Sequence, residues 1–309
     1  MKTQTIGTSH LITTRLNYGC MGILGSWSDP DPELARPAVL AAYEAGFRLF
    51  DHADIYNRGR CEEAFGRILR DVPGMRDEII IVTKCGIKFP GWGMAEGVNH
   101  YDFSAGHILQ SVEGSLHRLG VETIDVLLLH RPDILMDPDE VAEAFSRLRA
   151  QGKVREFGVS NFTPAQVRAL QSRLPFRLVI HQVEIHPGRI QCFQDGTLDQ
   201  CLEERITPQA WSPVGRGLYA TGGVIPEEVS DPEPQMHLLR TLDDIAHAHG
   251  VTRTAITLAW LMHHPSRIMP VIGTIRPERI REAATADSVT LSRQEWYTIY
   301  VAARGERMP

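Results

Sequence analysis

Eight short apolar runs, each followed by an amphipathic stretch, set the limits on what this chain can fold into. The runs cover residues 16–21, 47–50, 79–83, 125–129, 154–159, 178–183, 206–211 and 267–272. Between them, apolar residues recur at helical spacing. Leu34, Val39, Leu40 and Tyr43 do so within 30–46, and Phe65, Ile68 and Leu69 within 61–71. Ile108, Val112, Leu116 and Leu119 repeat the pattern within 105–119, and Val141, Phe145 and Leu148 within 138–151. Thr163-Pro164 supplies an N-cap and a first helical residue for the next stretch. Further helices are expected at 198–204, 236–249, 252–263 and 277–286. Strands separated by helices pair in parallel, because the crossover returns the chain to the same end of the sheet. Eight such units in 309 residues make the pattern of a (β/α)₈ TIM barrel in the α/β class. A doubly wound sheet would want G-x-G-x-x-G after its first strand, and Gly19, Gly22 and Gly25 do not make that spacing. Residues 5–18 read as a short N-terminal hairpin and 292–304 as an extra C-terminal helix. With no composition shift along the way, 1–309 is expected to form a single domain.

Composition narrows the function. Hydrophobic residues make up 43% and charged residues 23%, and the net charge is −6. There is no basic face for nucleic acid and no polybasic membrane patch. No apolar stretch approaches the ~18 residues of a membrane span. The first residues, Met1 to Thr8, lack the apolar core of a signal peptide. Cys20, Cys61, Cys85, Cys192 and Cys201 form no C-x-x-C pair and are odd in number. Reduced thiols in a cytoplasm are therefore expected. His247-x-His249 and His263-His264 lack a third ligand at metal spacing, so no metal site is read.

Three consecutive apolar runs finish on ionisable residues: Asp51, Lys84 and His130. In a TIM barrel the site lies at the C-terminal ends of the strands, and neighbouring strands lie about 4.8 Å apart. The three side chains can therefore converge, with Tyr56 in the loop beside Asp51. A free phenol has a pKa near 10. Asp51 would hold the Lys84 ammonium, the ammonium would lower the pKa of Tyr56, and His130 would hydrogen-bond the same incoming oxygen. Tyr56 would then donate a proton to a carbonyl oxygen as it becomes an alkoxide. Any one of the four could be a solvated rim residue; three at consecutive strand ends, with Tyr56 in the adjoining loop, argue for a site. Asp54 has no separate role in this scheme, and His52 reads as a local structural residue.

The chain resembles the aldo-keto reductase superfamily over nearly its full length. Phe50-Asp51-His52-Ala53-Asp54-Ile55-Tyr56, Val82-Thr83-Lys84-Cys85-Gly86, Leu129-His130-Arg131-Pro132, Gly158-Val159-Ser160-Asn161-Phe162 and His181-Gln182-Val183-Glu184 fall in that family's order. The resemblance implies a catalytic tetrad of Asp51, Tyr56, Lys84 and His130, and a nicotinamide cofactor bound without a Rossmann fold. It assigns Ser160, Asn161 and Gln182 to the carboxamide, Trp211 to stacking on the nicotinamide ring, and Ser212, Pro213, Val214 and Gly215 to the pyrophosphate loop. Gly19, Cys20 and Met21 would make the contact from the first strand. Gly273, Thr274, Arg276 and Arg279 open the helix after the eighth strand, where an anion is favoured. They suit the 2′-phosphate of NADPH, pointing to NADPH rather than NADH, with Glu282 near the adenine. The sequence departs from many members by placing Gly273 where they carry a lysine.

The expected activity is NADPH-dependent reduction of aldehydes and ketones to alcohols. Two other readings stand beside it: a nicotinamide-binding sensor or scaffold subunit with little turnover, and a lyase forming a Schiff base on Lys84. Loops 22–30, 85–104 and 212–235 would wall the substrate pocket. Trp27, Phe89, Trp92 and Tyr101 suggest a hydrophobic small-molecule carbonyl. Since the chain stops soon after its last helix, an open and permissive pocket is expected.

Overall fold

The computed structural model describes residues 1–309, Gly93 excepted. Eight parallel strands close into a barrel in sequence order. They are β1 (Asn17–Gly19), β2 (Leu49–Asp51), β3 (Ile80–Cys85), β4 (Ile124–Leu129), β5 (Val154–Ser160), β6 (Ile180–Glu184), β7 (Thr207–Trp211) and β8 (Met269–Ile272). β8 pairs with β1, which closes the ring. The eightfold pattern of the sequence is thus the observed architecture. Several strands begin one to three residues after their apolar runs do, although some of these leading residues already pair, as where Val179 N–H donates to the Phe157 carbonyl at 2.8 Å.

Successive side chains of a strand point to opposite faces. Leu49, Ile80, Val82, Val126, Leu128, Ile180 and Met269 therefore meet in one apolar cluster. Ile6 and Val179 join the same cluster. Two residues further along each strand the interior turns polar, at Asp51, Lys84, His130 and Gln182. The outward-facing set packs under the helices in separate apolar clusters.

The N-terminal hairpin runs Thr3–Thr5 with Ile12–Thr14, a few residues before the stretch the alternation of 5–18 suggested. It covers the N-terminal end of the barrel. Gly7 donates its N–H to the Thr207 hydroxyl at 2.7 Å, and any Cβ there would lie 2.8 Å from Val179 backbone. The extra helix Arg293–Arg304 is present, and Ser292 and Glu295 form a reciprocal capping box at its start. Thr163 and Gln166 form the same box ahead of Pro164–Gln171. Ser104 caps Ala105–Leu119, which ends on the left-handed Gly120. Among the described residues, no helix is long and apolar enough to cross a membrane.

Gly158 on β5 is a point of close approach. A Cβ there would fall 2.4 Å from the Ile180 carbonyl oxygen and 2.6 Å from a Leu128 methyl. The barrel cannot widen at one strand alone, so Gly158→Ala should cost about 1–3 kcal/mol through overpacking. A lowered midpoint in urea denaturation checks this; an unchanged midpoint would mean that β5 and β6 part easily.

Candidate active site

Backbone pairing continues past the strand ends and sets the height of each polar side chain. His52 N–H donates to the Val82 carbonyl at 2.7 Å and Asp54 N–H to the Lys84 carbonyl at 3.0 Å. His130 N–H donates to Cys85 O at 3.0 Å and Asn161 N–H to Gln182 O at 2.9 Å. Lys84 lies inside β3, one residue before its end, and is fully buried. Its ammonium donates to Asp51 Oδ2 at 2.7 Å, to the His52 carbonyl at 2.7 Å and to the Tyr56 hydroxyl at 3.1 Å. Three acceptors for three N–H groups make this a saturated buried cation. The His130 ring stands edge-on to Tyr56, with centroids 5.9 Å apart. The structure therefore brings Asp51, Tyr56, Lys84 and His130 together.

Tyr56 is placed by an unusual turn. Asn57, Arg58 and Gly59 are all left-handed (φ +47°, +53° and +78°) immediately before the helix Arg60–Asp71. Three such residues in a row fold the loop back, so that the phenol drops onto Lys84. Nothing in the residue pattern Ile-Tyr-Asn-Arg-Gly identified that turn in advance.

The electrostatics correct one expectation. Burial raises the Tyr56 pKa, and this outweighs the Lys84 ammonium, which lowers it. The phenol is thus a weaker acid than in water, though a stronger one than it would be without Lys84. Burial also works against the Lys84 charge, but Asp51 and Tyr56 hold it and its pKa ends above the ordinary value. Burial, followed by the charges of Lys84 and Arg131, keeps the His130 pKa well below the usual imidazole range. His130 is accordingly neutral at pH 7, and its Nδ1 is buried without a partner. His52 packs edge-on against Phe65 with centroids 4.5 Å apart. Burial and the Lys84 charge push its pKa down to about 3, which fits a structural residue. Asp54 is buried with Oδ1 unpaired, and burial, followed by the charge of Glu62, raises its pKa well above the usual carboxylate range.

Around the tetrad, amide side chains are held in fixed orientations. Gln182 Nε2 donates to Asp51 Oδ1 at 2.7 Å and to Gln209 Oε1 at 3.0 Å. Gln209 Nε2 donates to Asn17 Oδ1 at 2.9 Å, and Asn17 Nδ2 to the Thr14 carbonyl at 3.1 Å. This chain crosses the barrel interior entirely out of water. Asn161 donates to the His130 carbonyl at 3.3 Å and to Ser160 Oγ at 2.7 Å, and accepts from Trp211 Nε1 at 2.9 Å. Both donors of Gln182 and all of Asn161's side-chain atoms are therefore engaged. What remains is the Gln182 carbonyl oxygen as an acceptor and the Ser160 hydroxyl as a donor. A carboxamide needs that pair, one acceptor and one donor.

The other predicted positions divide into groups. Gly19 pairs with Asp51 across β1 and β2, and Cys20 N–H donates to the Asp51 carbonyl at 2.8 Å; Met21 is exposed. Trp211 ends β7, with the Arg131 guanidinium 5.4 Å from its ring centre. Ser212 (φ +49°) and Gly215 (φ +56°) are left-handed and curl Ser212-Pro213-Val214-Gly215 into a turn closed by Gly215 N–H on Ser212 O at 2.8 Å. Gly273 and Thr274 follow β8, and the Tyr18 hydroxyl anchors the Thr274 carbonyl at 3.0 Å. Arg276 is the N-cap of Pro277–Ala284 with no side-chain cap bond, so that helix start keeps its N–H groups open. Arg279 lies one turn in and is exposed. Glu282 accepts from the Thr221 hydroxyl at 2.5 Å, which ties the 212–235 loop to this helix.

Of the four expected pocket aromatics, Trp27 and Tyr101 are exposed and Phe89 is half-buried. Trp92 is engaged elsewhere: the Arg118 guanidinium sits 5.3 Å from its ring centre, and Arg118 in turn is bound by Glu62 at 2.8 Å. Its packing fastens the loop to the helices. A separate cavity of about 700 Å³, lined by Thr8, Arg168, Arg177 and Glu204 among others, lies at the opposite end of the barrel from the tetrad.

The family model described as the aldo/keto reductase family matches residues 15–303. The chain belongs to the aldo/keto reductase family. Among curated relatives, the chain is 40% identical over 296 residues to 6-dehydroglucose reductase of Agrobacterium fabrum, covering 96% of each chain. It is 42% identical over 284 residues to 6-dehydroglucose reductase of Novosphingobium aromaticivorans, covering 90% of this chain and 88% of that one. A thermostable aldo-keto reductase solved with the inhibitor epalrestat superposes with a TM-score of 0.82 at 26% identity, over 98% of this chain and 100% of the other. These relationships make the protein an oxidoreductase. Sequence reading missed Asn17, Gln209 and Arg131. The first two share the inward phase of their strands with Gly19 and Trp211, and that phase is a signal open to a reader who fixes the strand register first.

Proposed function

We propose that residues 1–309 form one NADPH-dependent carbonyl reductase domain in which Tyr56 is the general acid. The observation that carries the reading is the Lys84 ammonium bound at once to Asp51 and to the Tyr56 hydroxyl in a buried site. The cofactor, when bound, supplies a hydride. Gln182 Oε1 and Ser160 Oγ are the unengaged pair that suits its carboxamide, and Trp211 offers a ring for stacking. Arg276 and Arg279 at an open helix start suit a phosphate. A carbonyl oxygen placed between Tyr56 and neutral His130 receives two donors, and the proton passes from Tyr56 as negative charge grows. Lys84 then faces the phenolate and stabilises it. The complete tetrad favours turnover over a purely sensory role.

The test is NADPH oxidation with small aldehydes. Arg279→Ala tests the cofactor preference separately. Its affinity for NADPH should fall by about tenfold, the scale of one lost charge-assisted contact, while NADH affinity stays nearly unchanged. Fluorescence titration of both cofactors measures this, and an equal loss for the two would move the 2′-phosphate site away from Arg279.

A further inference from the structure

Arg131 is a positioned cation without a counter-charge. It directly follows His130 at the end of β4, is half-buried, and lies over the Trp211 ring at 5.4 Å. Among the described residues, no carboxylate lies within 4.0 Å of it, and no acceptor receives its N–H groups. The other cation beside His130, Lys84, is by contrast paired with Asp51. The nearest carboxylate along the chain, Asp133, is already committed. Its two oxygens accept the N–H groups of Phe103 and Leu135. The charge of Arg131 is nevertheless felt at the centre, since it helps keep His130 neutral.

A guanidinium offers five donors and no acceptor. Held over an indole and next to His130, it is a ready partner for oxygen atoms and a poor wall for hydrocarbon. We infer that Arg131 forms a substrate subsite for oxygen acceptors, so that this enzyme favours carbonyl compounds bearing hydroxyl or carboxylate oxygens near the reacting carbon over purely apolar aldehydes. The inference rests on the reductase reading above. It replaces the hydrophobic preference suggested by the loop aromatics, of which Trp92 is turned to structural packing. The two relatives named 6-dehydroglucose reductases point the same way, since that name describes a hydroxyl-rich sugar.

The experiment compares wild type, Arg131→Met and Arg131→Lys on three substrates with NADPH: glyceraldehyde, succinic semialdehyde and butanal. In the wild type, the two oxygenated aldehydes should have the higher kcat/KM. Arg131→Met should raise KM for both by about tenfold or more, because buried donors and acceptors lose their partners. Its kcat/KM for butanal should stay within about threefold on the same ground. Arg131→Lys should recover part of the loss, more for the carboxylate of succinic semialdehyde if charge dominates and equally for both if donor number does. A uniform fall over all three substrates would reduce Arg131 to a support for Trp211 and overturn the subsite, as would no change on any. Failure of the wild type to oxidise NADPH with all three aldehydes would instead remove the reductase reading, and the subsite with it.

Discussion

Tyr56→Phe should keep its fold and bind NADPH, yet reduce carbonyls about 10²–10⁴-fold more slowly, the usual worth of a positioned proton donor. The fold is expected to survive because the Lys84 ammonium loses only one of three acceptors. Asp51 Oδ2 and the His52 carbonyl, both at 2.7 Å, remain. The phenyl ring keeps its edge-on contact with His130, so the cavity retains its shape. The loss should fall on kcat, since the hydroxyl acts only as charge develops on the oxygen. The pH profile gives the sign. Reduction needs the protonated phenol, so wild-type kcat is full below the Tyr56 pKa and declines as pH rises through it. That pKa is above the ordinary phenol value, so the decline belongs to strongly alkaline solution. In Tyr56→Phe this limb should vanish, leaving a low and flat rate. His130 adds no limb between about pH 6 and 8, because its pKa is already well below that window. Stopped-flow reduction of butanal at several pH values, with NADPH affinity measured in parallel, is the check. Wild-type turnover in the variant would take the proton donor's role away from Tyr56.

Much of this site is legible in the residue order, and the reasons are physical. Asp51, Lys84 and His130 stand out because a charge at the end of an apolar strand breaks the burial pattern. The parallel barrel then leaves only one place for three such residues to meet. Helix bounds such as Ala105–Leu119 were also within reach, since Ser104 and Gly120 announce them by cap chemistry. Three things were not legible. The run of left-handed residues Asn57-Arg58-Gly59 carries one glycine for three unusual positions, so local propensity gives no warning of it. The net pKa of Tyr56 depends on how deep the phenol sits, and burial depth is a tertiary property. The committed donors of Gln182 and Asn161 depend on partners as far as 131 residues away in sequence. Their residue types suited a carboxamide in the sequence; only the geometry shows which of their atoms are left to do so.

Gln209→Leu should weaken both the barrel and the reaction, and Gln209→Glu should show why. In the native chain, the Asp51 carboxylate accepts only, so Gln182 must present its amide nitrogen. That nitrogen's second hydrogen goes to Gln209 Oε1, and Gln209 passes a hydrogen to Asn17 Oδ1. Every amide in the chain is thereby fixed in one orientation, and the Gln182 carbonyl is left pointing away from Asp51. Leucine at 209 strands one hydrogen of Gln182 and the oxygen of Asn17 in a fully buried layer. Each should cost about 1–3 kcal/mol, read as a lower urea midpoint. Gln182 then has room to turn, and kcat should fall about tenfold for a shift of ~1.4 kcal/mol in the barrier. Glutamate separates the polar role from mere filling. Protonated, its carboxyl accepts from Gln182 and donates to Asn17, so the native pattern is restored. Ionised, it faces Asn17 oxygen against oxygen and adds a negative charge one amide away from Asp51. Gln209→Glu should therefore approach wild-type kcat in acid and lose it as pH rises through the new carboxyl's pKa, across a range where the wild type is flat. Burial should place that pKa above the ordinary carboxylate value. If Gln209→Glu instead follows the wild-type profile at every pH, the amide chain has no hold on the Asp51–Lys84 pair.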